Sequence, residues 1–221
     1  MDRVFRPAGG TGHGGGAGQG AGHAVVADFG IARAIAEGYA EKGAEILKLL
    51  AGTFSLAVLD GTARTALLAN DRMGTRSLCY TTDAHRLVFG STLDAISAYP
   101  DSGRQVRRQA IYEYVHFHVI PGPETVYLDR RRLEPGTFLT WNNGTHRAAS
   151  YWGVKFIEDQ KRPFPVLKRE FVALLRKSVE QAIEHGTTGA FLSGGTDSST
   201  VAGMLREVTG EAPRTFSIGF D

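Results

Sequence analysis

Phe191-Leu192-Ser193-Gly194-Gly195-Thr196-Asp197-Ser198-Ser199 decides how the C-terminal part of this chain folds. Thr188-Gly189-Ala190 leads into it and Thr200-Val201-Ala202-Gly203-Met204-Leu205 follows, so the run reads as strand, tight loop, helix. Two adjacent glycines let the backbone approach an anion that any side chain would hold off. N–H groups of the loop and of the helix start can then converge on phosphate oxygens. The hydroxyls of Ser193, Ser198 and Ser199 add donors, and Asp197 is placed to hold a magnesium ion against a polyphosphate. The pattern implies a nucleotide site with a pyrophosphate cradle.

A Walker-type loop is excluded, because it needs a lysine after its last glycine and none lies between Gly186 and Asp221. Ser-Gly-Gly-x-Asp-Ser-Ser instead resembles the loop of ATP pyrophosphatases, which cleave ATP between the α and β phosphates. Arg214 to Phe220 reads as the next strand, one β-α-β unit into a parallel sheet. Two strands cannot bury both faces of such a sheet, so this α/β domain is expected to be incomplete.

Upstream, Leu167, Phe171, Leu174, Leu175, Val179 and Ile183 recur at three- and four-residue spacing. They predict an amphipathic helix ending at His185-Gly186, with the basic residues of Lys161 to Lys177 on a solvated face. Pro163 and Pro165 mark a linker before it, residues 155–166. Residues 23–154 form a separate domain. A helix is expected from Ile31 to Leu50, then strands at Thr53–Leu59, Thr65–Asn70, Ser77–Tyr80 and Leu87–Gly90. Short helices at Leu93–Ala98 and Arg108–His116 precede a hairpin turning at Asn142-Asn143-Gly144. The glycosylation sequon Asn143-Gly144-Thr145 is that turn. Residues 1–22 carry a glycine tract that predicts a flexible, disordered segment.

A net charge of +2 gives no reason to invoke nucleic acid, and no apolar run approaches a membrane span. Cys79 is the only cysteine, which rules out an internal disulfide framework and fits a reducing cytoplasm. Within its strand it reads as a core residue.

The order of these pieces resembles asparagine synthetase of the glutamine-hydrolysing type. The match rests on Gly43-Ala44-Glu45-Ile46-Leu47 through Asp60, and on Asn70-Asp71-Arg72-Met73-Gly74-Thr75-Arg76-Ser77-Leu78. It continues in Phe89-Gly90-Ser91-Thr92-Leu93-Asp94-Ala95-Ile96 and Leu133-Glu134-Pro135-Gly136-Thr137, then in Ser193–Ser199 with Ser217-Ile218-Gly219-Phe220. The resemblance implies an α+β, N-terminal-nucleophile amidotransferase-like domain of antiparallel sheets with helices. A truncated, doubly wound α/β ATP-pyrophosphatase domain follows at residues 167–221. It implies ATP and Mg2+ as cofactors, and aspartate with ammonia or glutamine as the other substrates; aspartate is adenylylated and ammonia displaces AMP. Carried over, the backbone at Leu192 and Ile218 borders the adenine, Ser193, Gly194, Gly195, Ser198 and Ser199 grip pyrophosphate, and Asp197 positions the metal. A homodimer is a further possibility that the resemblance leaves open.

Three departures stand beside it. The family's nucleophile is a cysteine directly after the initiator methionine, and here that place is Asp2, so no catalytic residue is assigned. The family's Arg-Leu-Ser, Asn-Gly-Glu and Ser-Asp-x-Glu segments are missing. Asp28-Phe29-Gly30-Ile31-Ala32-Arg33 looks like the metal-binding segment of a protein kinase, but the strand lysine and His-Arg-Asp loop of a kinase are absent. The expectation is an incomplete fragment, inactive alone. A glutamine-independent, amide-forming cyclase of the same architecture and a non-catalytic degenerate relative are the alternatives.

Overall fold

A computed structural model describes residues 3–5, 23–26, 32–100, 102–158, 161–183 and 188–219. The glycine tract, Asp2, Asp28–Ile31 and Phe220 of the sequence reading lie outside them. The chain forms two compact units, Met1–Lys155 and Phe156–Asp221.

The first unit contains β1 (Arg3–Phe5), β2 (His23–Val26), α1 (Ala32–Lys42), a 3-10 helix (Gly43–Leu49), β3 (Ser55–Asp60), β4 (Thr65–Asn70), β5 (Cys79–Thr82) and β6 (Leu87–Gly90). Then come α2 (Leu93–Ser97), α3 (Arg108–Phe117), β7 (Arg131–Arg132), β8 (Thr137–Asn142) and β9 (Thr145–Ser150). The strands make two antiparallel sheets, ordered β1-β6-β5-β7 and β2-β3-β4-β8-β9. Alternation along each strand sorts side chains into layers. Ala57, Ala66, Leu68, Leu139 and Trp141 of one sheet meet Tyr80, Leu87 and Phe89 of the other. The residues between them face outward: Leu56, Val58, Leu67 and Ala69 pack on Ile35 and Leu47, while Cys79 and Val88 pack on Ile96. The unit is therefore a sandwich of two sheets with a helical layer on each outer face.

Two expectations change here. The single helix from Ile31 to Leu50 breaks at Gly43, whose φ of +58° turns the chain into the 3-10 segment. The break folds Ile46 back against α1, so closely that a Cβ on Gly38 stands 2.6 Å from its Cδ1. The strand expected at Thr53–Leu59 instead runs Ser55–Asp60 as β3 and is paired on both sides, by β2 and β4. The hairpin matches its reading: Asn142 pairs with Thr145, leaving Asn143 (φ 47°) and Gly144 (φ 88°) as a two-residue turn of the I′ kind.

The second unit holds α4 (Phe164–Ala182), β10 (Gly189–Phe191), α5 (Thr196–Thr209) and β11 (Arg214–Phe216). Pro163 caps α4 and Pro165 lies in its first turn, where a missing N–H costs nothing, so the helix starts inside the stretch read as linker. It ends at Ala182, earlier than read. No α4 residue is fully buried; Val179 and, just past its end, Ile183 pack on the cluster of Ala190, Ala202 and Leu205. β10 and β11 are parallel, Ala190 opposite Thr215. Phe191 and Phe216 point away from the cluster and stay exposed, their ring centres 6.4 Å apart.

Candidate functional site

The loop Leu192–Gly195 joins β10 to α5, which begins at Thr196. Gly194 has φ +84° with nothing within 4 Å of a Cβ position, so conformation, not space, demands glycine. Gly195 occupies the N-cap in extended geometry, and no side chain caps the helix. The first-turn N–H groups of Thr196, Asp197 and Ser198 therefore have no partner within the helix and lie at its positive end.

Ser198 organises the turn. Its hydroxyl donates to the carbonyl of Gly195 at 3.2 Å and accepts from the Ser193 amide at 3.2 Å, and its oxygen lies 3.0 Å from Ser193 Oγ. The Ser199 amide donates to the same Gly195 carbonyl at 3.1 Å. Ser193, Gly194, Gly195, Ser198 and Ser199 are thus gathered in one turn, with the exposed Asp197 in the first turn of α5. Leu192 is stitched to the neighbouring strand: its amide donates to Phe216 O at 2.8 Å and its carbonyl accepts from Ser217 Oγ at 2.6 Å. Ile218 follows β11 by two residues and is 78% exposed. Ser217, which holds the loop's entry to β11, belongs to the matching stretch Ser217–Phe220 but is given no role of its own there. Besides that stretch, its signal is a hydroxyl directly after the second parallel strand.

Anion binding fits this geometry: a glycine-turned loop, an uncapped helix start and clustered hydroxyls. Among the described residues no group of three or more His, Cys, Asp or Glu side chains could hold a metal ion. Asp197 can therefore offer magnesium one carboxylate and leave the other positions to phosphate oxygens and water, which is how that ion is commonly held.

The first unit carries a second organised place. Asp71, only 2% exposed, accepts the amides of Met73 (2.9 Å), Thr75 (3.1 Å), Arg76 (3.2 Å) and Phe54 (3.3 Å). Burial by itself raises its pKa; the N–H groups of Thr75, Met73, Arg76 and Phe54 outweigh that and hold the carboxyl below its ordinary value. The Asp71 carbonyl accepts the amides of Gly74 (3.2 Å) and Gly136 (2.8 Å), fastening the loop after β4 to the turn before β8. A cavity of about 520 Å3 opens between loop and turn. Asn70, Thr75, Ser77, Arg132, Glu134 and Pro135 are among its lining residues. Cys79 is buried in β5 and free, as a core residue should be.

Among the described residues no helix is long and apolar enough to cross a membrane. Residues 32–152 match the model of the glutamine amidotransferase domain, and residues 170–221 match that of asparagine synthase. A Methanocaldococcus jannaschii protein named "Putative asparagine synthetase [glutamine-hydrolyzing] 2" is 30% identical over 192 residues, 83% of this chain and 36% of that protein. Asparagine synthetase [glutamine-hydrolyzing] 3 of Bacillus subtilis is 28% identical over 189 residues, 83% of this chain and 31% of that protein. The chain thus spans about a third of the length of these relatives. Among solved structures, glutamine phosphoribosylpyrophosphate amidotransferase from B. subtilis overlaps 98% of this chain and 48% of its own at 16% identity, with a TM-score of only 0.34.

Proposed function

Because the chain belongs to the family of glutamine-hydrolysing asparagine synthetases, carrying their glutamine amidotransferase domain, we propose that it serves ATP-dependent amide formation. The second unit holds ATP, and the first is an N-terminal-nucleophile type of sandwich. One observation carries this reading: the loop between two parallel strands presents two glycines, paired Ser193 and Ser198 hydroxyls and an uncapped helix start to a single point.

In this reading the aspartate carboxylate attacks the α-phosphorus of ATP, forming the P–O bond of aspartyl-AMP while the bond to pyrophosphate breaks. Ammonia then attacks the acyl carbon, AMP leaves with the bonding pair, and a proton is lost from nitrogen. The N–H groups of Thr196, Asp197 and Ser198 stabilise the charge that gathers on departing pyrophosphate, where fixed donors accelerate most. Asp197 would hold magnesium, and the ion would supply charge neutralisation to the polyphosphate. Ser198 keeps the turn in shape through Gly195 and Ser193. The unpaired thiol of Cys79 supports a reducing compartment such as the cytoplasm.

Calorimetric titration with magnesium-ATP tests the assignment. Gly195→Val and Asp197→Ala are each expected to abolish binding that the parent chain shows. Binding unchanged in both variants would rule the loop out as the site.

A further inference from the structure

We propose that Asn143 is a site of spontaneous imide formation gated by its own hairpin turn: the ring closes only when the turn opens, and the isoaspartyl product cannot rebuild it. The chain has three asparagines, Asn70, Asn142 and Asn143, and only Asn143 precedes a glycine. A glycine nitrogen, with no side chain beside it, is the least hindered backbone nucleophile for a neighbouring side-chain carbonyl. Asn70 is 2% exposed, with Nδ2 donating to Leu133 O and Oδ1 accepting the Asp71 amide. Asn143 is exposed, and among the described residues the Gly144 N–H donates to no acceptor, since the strand pairing closes on Asn142 and Thr145. Nor can the fold dispense with that glycine: its φ is +88°, and a Cβ there stands 2.2 Å from Ala84 O. The turn therefore imposes a chemically labile dipeptide on an exposed place.

The bond changes need only water. The Gly144 nitrogen loses its proton to solvent and attacks Asn143 Cγ. The N–Cγ bond forms, the Cγ–Nδ2 bond breaks, and Nδ2 leaves as ammonia with a proton from solvent. Water then opens the imide. Addition at Cγ gives aspartate; addition at the Asn143 backbone carbonyl leaves the chain running through the side chain, as isoaspartate. One water is consumed and one ammonia is released.

The turn resists the first step. A type I′ turn holds ψ of its first central residue near about +30°, in keeping with the Asn143 φ of 47°. At that ψ the Gly144 nitrogen points away from Cβ, whereas the five-membered ring needs both on one side of the Cα–C bond. Asn143 Nδ2 is also tied to Asn142 Oδ1 at 2.9 Å. Ring closure thus waits for the turn to unwind. β9 is an edge strand paired only with β8, so the hairpin tip can open without dismantling the core. Isoaspartate adds a backbone carbon to a two-residue loop and displaces Thr145 from Asn142. The disturbance reaches β8, whose Leu139 and Trp141 are buried between the sheets. None of this rests on the nucleotide reading.

The test holds the full chain in warm, mildly alkaline buffer, with and without urea sufficient to unfold it. Tryptic peptide 133–147 is then followed by mass spectrometry. Conversion of Asn143 should be at least about tenfold slower in the folded chain, because the rate scales with the open fraction. It should precede conversion of Asn70 and Asn142 and give isoaspartate together with aspartate. Chain enriched in isoaspartate should melt below the parent, whereas Asn143→Asp, which suits the same turn, should melt with it. Equal rates in the two buffers, no conversion in urea, or earlier conversion at another asparagine would overturn the proposal. So would aspartate without isoaspartate, the mark of direct hydrolysis, or an isoaspartyl chain as stable as the parent.

Discussion

Ser193 and Ser198 face one another across the β10–α5 turn, their hydroxyl oxygens 3.0 Å apart, and Ser198 Oγ also accepts the Ser193 amide. One side chain from the helix thereby sets the width of a loop made by the strand. Replacing Ser198 by alanine removes three of the turn's hydrogen bonds while leaving both glycines. The turn is largely exposed, so fold stability should fall by only about 1 kcal/mol. Magnesium-ATP affinity should weaken about tenfold, because about 1.4 kcal/mol of lost loop order and contact corresponds to that factor. Calorimetry beside thermal melting separates the two effects; equal affinity in parent and variant would show that the turn needs no help from Ser198.

Asp71 gives a pH signature. Its folded-state pKa lies below the ordinary value, since four amide donors outweigh the cost of burial. Its contribution is therefore complete above the unfolded pKa of about 3.9 and is lost as pH falls through the lower folded value. Asp71→Asn should destabilise the first unit by about 2–3 kcal/mol at neutral pH, given hydrogen bonds to a charged acceptor. Urea melts of both proteins should converge only below about pH 4. A gap that stays constant down to pH 2 would contradict the assigned cause.

Gly144 is held by both conformation and space. Its φ is +88°, and a Cβ there stands 2.2 Å from the carbonyl oxygen of Ala84, a backbone atom that cannot swing away. Gly144→Ala should cost about 2–4 kcal/mol, read as a lower urea midpoint with unchanged slope. Gly61 has open space and a negative φ, so Gly61→Ala should shift the midpoint little.

Arg130 is fully buried. Its guanidinium donates to Leu93 O at 3.1 Å, to Ser97 Oγ at 2.5 Å and to the carbonyl of Gly103, and lies 4.1 Å over the Tyr127 ring. It ties α2 to the segments on either side of α3. Arg130→Met should destabilise by about 3 kcal/mol, because three acceptors lose their donor. Arg130→Lys should recover less than half of that, since an ammonium cannot present the planar fork. Full recovery with lysine would show that charge alone matters there.

The sequence by itself determined what is local. Strand β4 and the Asn143-Gly144 turn were legible because alternation and turn chemistry act over neighbouring residues. So was the strand-loop-helix around Ser193-Gly194-Gly195, whose glycines and hydroxyls all lie within seven residues. The break at Gly43 was not legible: apolar spacing runs on through Ile46, Leu47 and Leu50, and only packing of Ile46 on Gly38 selects the reversal. Pairing of β3 with β2 was hidden for a related reason, since strand partners are chosen by long-range register. The cavity belongs wholly to tertiary structure. Asn70 ends one strand, Arg132 and Glu134 lie more than sixty residues later, and only the hydrogen bond from Asn70 to Leu133, with Asp71 gripping Gly136, brings them to one wall. Side-chain chemistry is written in the chain, but which charges share a cavity is fixed only when distant backbone segments are fastened together.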